Sequence, residues 1–480
     1  MIMAVVNAVH DHEGEVTGVV QRTQFRSVSE RGIEHGATLL LGIEGLDVLE
    51  VVLEDLEDLE RDAGRVVHLG TGDEGAAACP SCGTVSTSPK GRATTRPRDL
   101  PYGDDPVRLV WHKRRWRCRE RLCDRASFTE SLPAVPARAR LTTRLRSACG
   151  AGIAGGFSCV AAAAAYHQVS WPIAHAAFVA HVSDVLAQPL PPVEVLGIDE
   201  TRRGRPRWAQ DPETLRWSIV HDRWHTAVVD AAGTAGLLAH VEGRTAAAVA
   251  DWVAAQPDSW RNAVTHVCID LSASYAKAVH DALPDAVVVA DRFHLVKLGN
   301  DMVTEVRQRT TREGRGRRGR ARDPEWANRR RLLTAHERLS SHSFARMWNA
   351  LIDQDDLGLQ VLRAYIVKEE LRALLALAGT HPDRELVSHR LWTFYSSAAA
   401  CDLPEAHRLA ETIEAWWPAV EAAITTGYSN ARSEGYNRLA KHVGRNAFGF
   451  RNVENQRRRI RWTCTRQHRR VTALTHELPG

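Results

Sequence analysis

EVLGIDET (194–201) and HVCIDLS (266–272) are the two stretches whose reading decides the fold. Each runs a short apolar segment straight into an aspartate, Asp199 in the first and Asp270 in the second. A bounded apolar run of this length reads as a buried strand, and its last residue carries a carboxylate to the sheet edge. Residues 194–300 continue the pattern. LRWSIVHD (215–222) and HTAVVDAA (225–232) read as a second and third strand, paired antiparallel across Arg223–Trp224. A helix over Thr245–Gln256, the HVCIDLS strand, a helix over Tyr275–Ala282, the strand AVVVADRFH (286–294) and a helix starting at LVKLGNDMVTEV (295–306) follow.

The order βββαβαβα is that of the ribonuclease H fold, a mixed five-stranded α/β sheet with helices. It sets Asp199 and Asp270 side by side on the first and fourth strands. A third carboxylate, Glu434, opens the basic helical stretch SNARSEGYNRLAKH (429–442), where Glu434, Asn437 and Lys441 share a helix face. Carboxylates gathered from distant parts of a chain suit two Mg²⁺ (or Mn²⁺) ions, because hard cations prefer oxygen ligands and paired metals serve phosphodiester chemistry. Adjacent strand residues face opposite ways, so only one of Asp199 and Glu200 can meet Asp270, and Asp199 is the candidate. Taken singly, each aspartate would be a helix or turn cap, and Glu434 a surface partner of Arg438 at i+4. Two aspartates ending apolar strands in this order favour catalysis. Asp291 also ends an apolar strand and competes as a ligand, but a two-metal plan needs only three carboxylates plus DNA oxygens. His294 reads as a structural histidine.

Towards the N-terminus, Cys79 and Cys82 form a CxxC knuckle, and Cys118 and Cys123 a wider CxxxxC pair. Four thiolates suit a structural Zn²⁺ in a zinc ribbon. Lys90, Arg92, Arg96, Lys113, Arg114, Arg115 and Arg117 decorate this module, which points to contact with DNA. CVAAAAAYHQVSWPIAHAAFVAHV (159–182) fits a helix, a turn near His167–Ser170 and a second helix started by Pro172, a spacing compatible with a helix-turn-helix. Gly150, Gly152, Gly155 and Gly156 read as breaks just before it. The resulting domains are an extension at 1–36, read as poorly ordered or a start-site artefact, and a β-rich zinc-ribbon domain at 37–135. A helix-turn-helix at 137–190 follows. The catalytic domain is assembled from 194–300 and 428–470, with a helical insertion at 301–427. Within 37–72, LLLGIEGLDVLEVVLEDLEDLE and RVVHL read as strands of a small sheet, with an amphipathic helix through 51–61 as the competitor. The insertion opens on RQRTTREGRGRRGRARDPEW (307–326), read as a mobile basic loop, and its Trp348, Trp392, Trp416 and Trp417 read as core.

At 480 residues, 44% hydrophobic and 25% charged, the chain is globular and too long for one core. No apolar run reaches membrane-spanning length and no signal-peptide pattern opens the chain, so a cytoplasmic, nucleoid-associated protein with no membrane partner is expected. Nine cysteines, an odd count, argue against a disulfide framework. Net charge is only +5, but residues 432–470 carry twelve Lys/Arg against two acids, and 90–125 carry twelve against five. Local excesses of this kind attract phosphates. Lys441, Arg438, Arg445 and Arg451, with Arg114, Arg115 and Arg117, are the expected DNA contacts.

The chain resembles the transposases of the ISL3 insertion-sequence family over roughly residues 38–462. The likeness rests on LLGIEGLDVLEV, CPSCG with RRWRCRERLCDRASFTE, LGIDET, CIDLSASYAKAV, ADRFHLVKLGND and SNARSEGYNRLAKHVGRNAFGFRNVENQRRRI. The RRGRPRW that follows Asp199 (202–208) is unusually basic. The resemblance implies a zinc-binding N-terminal region, a helix-turn-helix and a DDE catalytic domain with Asp199, Asp270 and Glu434 as its triad. It also implies cleavage at transposon ends and joining of the 3′-OH to target DNA. The implied partner is double-stranded DNA, both terminal inverted repeats and target, bound by a homo-oligomer of at least two copies. The competing functions are a DNA-binding regulator derived from a transposase and a nuclease without strand transfer.

Overall fold

The computed structural model describes residues 30–54, 64–102, 107–221 and 223–476. The chain forms two compact units, one ending at Ser183 and the other beginning at Asp184.

In the first unit, α1 (Glu30–Leu41) leads into β1 (Leu46–Glu54), β2 (Gly64–Thr71), β3 (Pro89–Thr95), β4 (Val107–Arg117) and β5 (Ser127–Thr129). The sheet order is β1-β2-β4-β3, with β5 paired to β4. Leu46, Val67, Leu69, Leu109 and Trp111 fill its core. Leu39–Leu41, expected in a strand, are instead the last turn of α1, which ends at Gly42 in the left-handed conformation. The helix therefore starts inside the stretch read as an extension, and residues 1–29 lie outside the described part. The competing helix through 51–61 gives way to β1, whose residues to Glu54 pair with β2, while 55–63 lie outside the described residues.

Glu130 is buried, yet its carboxylate accepts from Arg114 N and Nε, Trp116 Nε1 and Thr71 Oγ1, which meets the cost of taking the charge from water. Lys113, expected on the surface, is buried with its ammonium 3.7 Å from the centre of the Trp111 ring. Period-2 alternation turns it inward from its exposed neighbours.

The unit closes with α2 (Thr143–Gly155), α3 (Val160–Tyr166) and α4 (Trp171–Ala187), so a short turn at 167–170 separates the last two. Thr142 caps α2 through Leu145 N. Gly150 and Gly152 do not break the chain. They lie within α2, and a Cβ on Gly150 would stand 2.5 Å from Ala177 O on α4, so glycine lets those two helices touch.

The second unit is built on β6 (Val195–Arg202), β7 (Arg207–Gln210), β8 (Trp217–His221), β9 (Trp224–Asp230) and β10 (Leu237–Glu242), then α5 (Ala246–Ala254), α6 (Asp258–Arg261), β11 (His266–Ile269), α7 (Ala273–Ala282) and β12 (Val287–Ala290). The sheet runs β10-β9-β6-β11-β12, antiparallel from β10 to β6 and parallel from β6 to β12. This is the ribonuclease H-like order, reached with different strands from those expected. LRWSIVHD is not in the sheet: β8 pairs with β7 as a separate ribbon whose Trp217, Ile219 and Val220 are exposed. HTAVVD is the second strand, and LLAHVE, passed over in the sequence, is the third. The reversal between them is a turn in which the Asp230 carboxylate accepts from Gly233 N and Ala235 N.

Alternation on β6 and β9 sorts the two faces. Leu196, Ile198 and Val228 pack on α5 and α7. Ala227 and Val229 pack on α16 (Ala431–Asn446) and α17 (Val453–His476), while Val195 packs on α15 (Trp417–Thr426).

Between β12 and α15 the chain is helical: α8 (Arg292–Arg315), α9 (Pro324–Ala327), α10 (Arg329–Leu333), α11 (Ser341–Ile352), α12 (Asp355–Leu375), α13 (Arg384–Ala400) and α14 (Pro404–Ala415). Val306, Met347, Leu371 and Phe394 share its core. The basic run expected as a mobile loop is helix α8 as far as Arg315, capped by left-handed Gly316. The residues after it are pinned by Arg317–Asp323 and Arg315–Glu325 pairs, at 2.6 Å each. Trp348, Trp416 and Trp417 pack against the core as expected, but Trp392 is 66% exposed.

His225 and His240 face each other across β9 and β10, Nδ1 to Nδ1 at 3.1 Å, both buried. Burial is the main cause that pushes His225 down to about 4 and His240 down to about 3. Both are therefore neutral in the fold but take up protons in the unfolded chain below about pH 6.5. Their contribution is complete above that value and is lost as pH falls towards 4. Thermal melts from pH 7 to pH 4 should show a falling midpoint, with a shallower fall in His240→Gln; equal slopes would mean the pair does not govern acid stability.

Candidate active site

Asp199 sits near the end of β6, and Asp270 directly follows β11, the parallel neighbour of β6. Asp199 Oδ1 accepts from Glu200 N at 2.7 Å, and Asp199 Oδ2 from Asn437 Nδ2 at 2.7 Å. Burial, and after it the Asp270 charge, push the Asp199 carboxyl up to about 6. Two carboxylates, one in β6 and one just after its parallel neighbour β11, thus come close enough for their charges to oppose each other, and such a pair is a donor set a divalent cation would complete. Glu200 turns to the other face, where it meets Tyr275 Oη at 3.2 Å and lies 3.8 Å from Arg244.

The structure also gathers residues that the sequence reading set aside. Asp270, Asp291 and His294 place their ligand atoms within 4.8 Å of one another. His294 Nδ1 lies 3.0 Å from Asp270 Oδ1 and 3.2 Å from Asp291 Oδ2. Hydrogen bonds to those two carboxylates raise His294 to about 10, so it is an imidazolium that neutralises them. The signal available beforehand was the spacing DRFH, which puts Asp291 and His294 one helical turn apart.

Glu434 lies in the first turn of α16 with its carboxylate 2.8 Å from Arg438, both side chains largely exposed. It does not join the Asp270 cluster, but its helix is tied to the sheet on both sides of it. Asn430 Nδ2 donates to Ile198 O at 2.8 Å, and Asn430 N donates to Asp291 Oδ1 at 3.1 Å. Asn437, three residues beyond Glu434, holds Asp199. Positions 430, 434 and 437 form one stripe, so Glu434 is carried along the helix between two anchors on the sheet. Approach is close: a Cβ on Gly197 would stand 2.5 Å from Ser433 Oγ.

In the first unit the sulfurs of Cys79 and Cys123 are 3.9 Å apart, and those of Cys82 and Cys118 3.6 Å. All four lie within 4.8 Å of one another. Zn–S bonds of roughly 2.3 Å at tetrahedral angles require S···S edges of about 3.8 Å, so the cluster fits Zn²⁺. Hydrogen bonds from Thr84 lower the Cys82 thiol to about 6, towards the thiolate that binds metal.

Residues 196–460, more than half of the chain, match the DDE ISL3 family model described as "Transposase". The chain belongs to the ISL3 transposase family. Residues 75–123 match the ISL3 zinc ribbon, described as the zinc-finger of transposase IS204/IS1001/IS1096/IS1165. Transposases for insertion sequence element IS1557 from two Mycobacterium tuberculosis strains are 29% identical over 212 residues, 40% of this chain and 46% of theirs. The match therefore spans about half the length of those relatives. A Bordetella parapertussis transposase for IS1001 is 23% identical over 381 residues, 78% of this chain and 86% of its own. Among solved structures, the Drosophila P element transposase strand transfer complex covers 67% of this chain and 90% of its own, at 10% identity and a TM-score of 0.33, too distant to carry an argument.

ISL3 membership implies a divalent metal for the carboxylates and zinc for the ribbon. No helix among the described residues is long and apolar enough to cross a membrane. The basic residues expected on DNA divide into groups. Lys441 and Arg445 line a cavity of about 500 Å³ together with Arg203, His225 and His240. Arg451 is exposed, and Arg438 is held by Glu434. On β4, Arg115 is exposed, Arg114 pairs with Glu130 at 2.6 Å, and Arg117 donates to Pro89 O at 2.8 Å.

The purified chain should carry one zinc per copy by elemental analysis, and Cys82→Ser or Cys118→Ser should lose it and lower the melting temperature; full zinc occupancy in both variants would remove the thiols from the site. A raised Asp199 means the fold prefers its protonated form, so stability is lost as pH rises from about 4 to about 6 and stays lost above. In chelator-treated protein at pH 7, Asp199→Asn should therefore be more stable, by at most about 3 kcal/mol, and this advantage should vanish at pH 4. An unchanged or lower midpoint at pH 7 would contradict the burial argument.

Proposed function

We propose that the chain is a DNA transposase that cuts a phosphodiester at transposon ends and joins the freed 3′-OH to target DNA, with Asp199, Asp270 and Glu434 as ligands of two Mg²⁺ ions. The observation that carries this reading is the approach of Asp199 and Asp270 on neighbouring strands, with the Glu434 helix laced to the same strand by Asn430 and Asn437. When bound, the two ions supply a more acidic attacking water or hydroxyl and charge for the leaving oxygen.

The protein's own groups prepare that site. Asn437 orients Asp199 by holding Oδ2. Asp291 spends one oxygen on Asn430 N and the other on His294, so it acts as a positioning residue that fixes the start of α16 rather than as a third aspartate ligand. The Glu434–Arg438 bond is exposed and so worth little, which leaves the carboxylate free to turn to a cation and the guanidinium free to turn to a phosphate.

In the first step water attacks phosphorus and the P–O3′ bond breaks, leaving a 3′-OH on the transposon end. In the second that hydroxyl attacks a target phosphodiester, and the target's own 3′ oxygen leaves. Lys441, Arg438, Arg445 and Arg451 hold backbone phosphates near the carboxylates. Arg114, Arg115 and Arg117 of the ribbon, with the α3–α4 pair as a helix-turn-helix, bind the terminal inverted repeats. Joining two ends requires at least two copies on DNA.

Cleavage of a labelled transposon-end duplex with Mg²⁺ tests the reading. Wild type should nick at the end, while Asp270→Asn and Glu434→Gln bind equally well and cut at least about a hundredfold more slowly. Variants that cut like wild type would sink the triad. Binding with no cutting by any form would favour the DNA-binding regulator.

A further inference from the structure

The arginines of the 307–326 segment divide by partner. Arg309 pairs with Glu405, Arg315 with Glu325 and Arg317 with Asp323. Arg307, Arg312 and Arg318 have no carboxylate partner among the described residues. All three line one cavity of about 280 Å³, beside Gln308, Thr311 and Trp326, and no acid lines it.

Arg307 is the telling member. It is 7% exposed, and its guanidinium meets only the Trp326 ring, 5.4 Å from the centroid. Arg318 lies over the same ring at 5.5 Å and Arg329 at 4.6 Å. Glu325, the acid whose charge reaches Arg307, already holds Arg315 through both oxygens. Buried charges are ordinarily paired, and stacking on an indole does not replace a counter-ion. Burial and the neighbouring Arg329 pull Arg307 below the usual guanidinium range, and the Glu325 charge offsets this only in part.

The site is built rather than incidental. Left-handed Gly316 ends α8, and the Asp323 carboxylate accepts from Arg317 and from Arg320 N, which fixes the loop that presents Arg318. Gly319 lets that loop close on Trp326: a Cβ there would stand 3.2 Å from Trp326 Cβ.

We propose that this cavity is a phosphate-binding site in which Arg307, Arg312 and Arg318 clamp one phosphate group of DNA backbone, outside the carboxylate site. Guanidinium forks match phosphate oxygens, and Thr311 and Gln308 add polar atoms at the wall. The volume falls at the lower edge of small-molecule sites, which suits a single phosphate with its sugar better than a whole nucleotide triphosphate. The choice of DNA as the source rests on the transposase reading; the phosphate chemistry does not.

Two titrations test it, each on the full chain as wild type, Arg307→Met, Arg312→Gln and Arg318→Gln. The first measures binding to a mixed-sequence duplex across salt concentrations; the second measures thermal stabilisation by inorganic pyrophosphate at constant ionic strength. The expected result is weaker duplex binding in each variant, with the slope of log affinity against log salt reduced by about one. Loss of pyrophosphate stabilisation with unchanged duplex binding would keep the phosphate site and assign it to a free phosphate. No change in either titration overturns the proposal. Arg312 and Arg318 are exposed, so their variants decide the matter if Arg307→Met fails to fold. Wild type that is stabilised by pyrophosphate but binds no duplex would count against the transposase reading and leave the cavity assignment standing.

Discussion

Asn430 makes the two hydrogen bonds on which the site depends. Its side chain reaches Ile198 O on β6, and its backbone N–H reaches Asp291 at the end of β12. These bonds tie the start of α16 to the first and last strands of the sheet in chain order, although the whole helical insertion separates α16 from them in sequence. Asn437 repeats the attachment two turns on, at Asp199 itself. Ser433, fully buried between them, requires glycine at position 197. A helix held at such points carries Glu434 in a fixed relation to the aspartates, and the Glu434 side chain pairs with Arg438.

Charge is managed differently in different parts of the fold. Glu130 and Asp323 are buried carboxylates saturated by donors, so they stabilise their loops and strands. Asp199 is half-buried against the Asp270 charge, and Arg307 is buried without a paired carboxylate. Sites that remain electrostatically incomplete in an otherwise satisfied structure are where an ion or ligand is needed to finish the arrangement. On the readings proposed above, cations would complete the Asp199 site and an anion the Arg307 cavity.

Much of this was legible in the residues. Asp199 and Asp270 were readable because two apolar runs ending in an acid recur in one strand order, and the cysteine spacing anticipated that four thiols would come together. The strand assignments failed where local pattern and burial part company: LRWSIVHD alternates like a sheet strand but forms an exposed ribbon, while LLAHVE lies behind a turn organised by the Asp230 side chain. The arginine run looked like a solvated loop because its partners Glu325, Asp323 and Glu405 reach it through loop and tertiary ion pairs rather than through helical spacing.

The sequence by itself determined the family, the ribonuclease H-like order of elements, the candidate zinc-ligating thiols and the identity of the candidate carboxylates. The family follows from the likeness of whole motifs; the rest follows from local periodicity and from residue types whose chemistry has few alternatives. Only the tertiary structure decided that Asp291 and His294 stand beside Asp270, that Asn430 and Asn437 lace α16 to the sheet, and which arginines are left without partners. Those facts depend on contacts between residues tens to hundreds of positions apart, and a contact of that kind leaves no periodic trace along the chain.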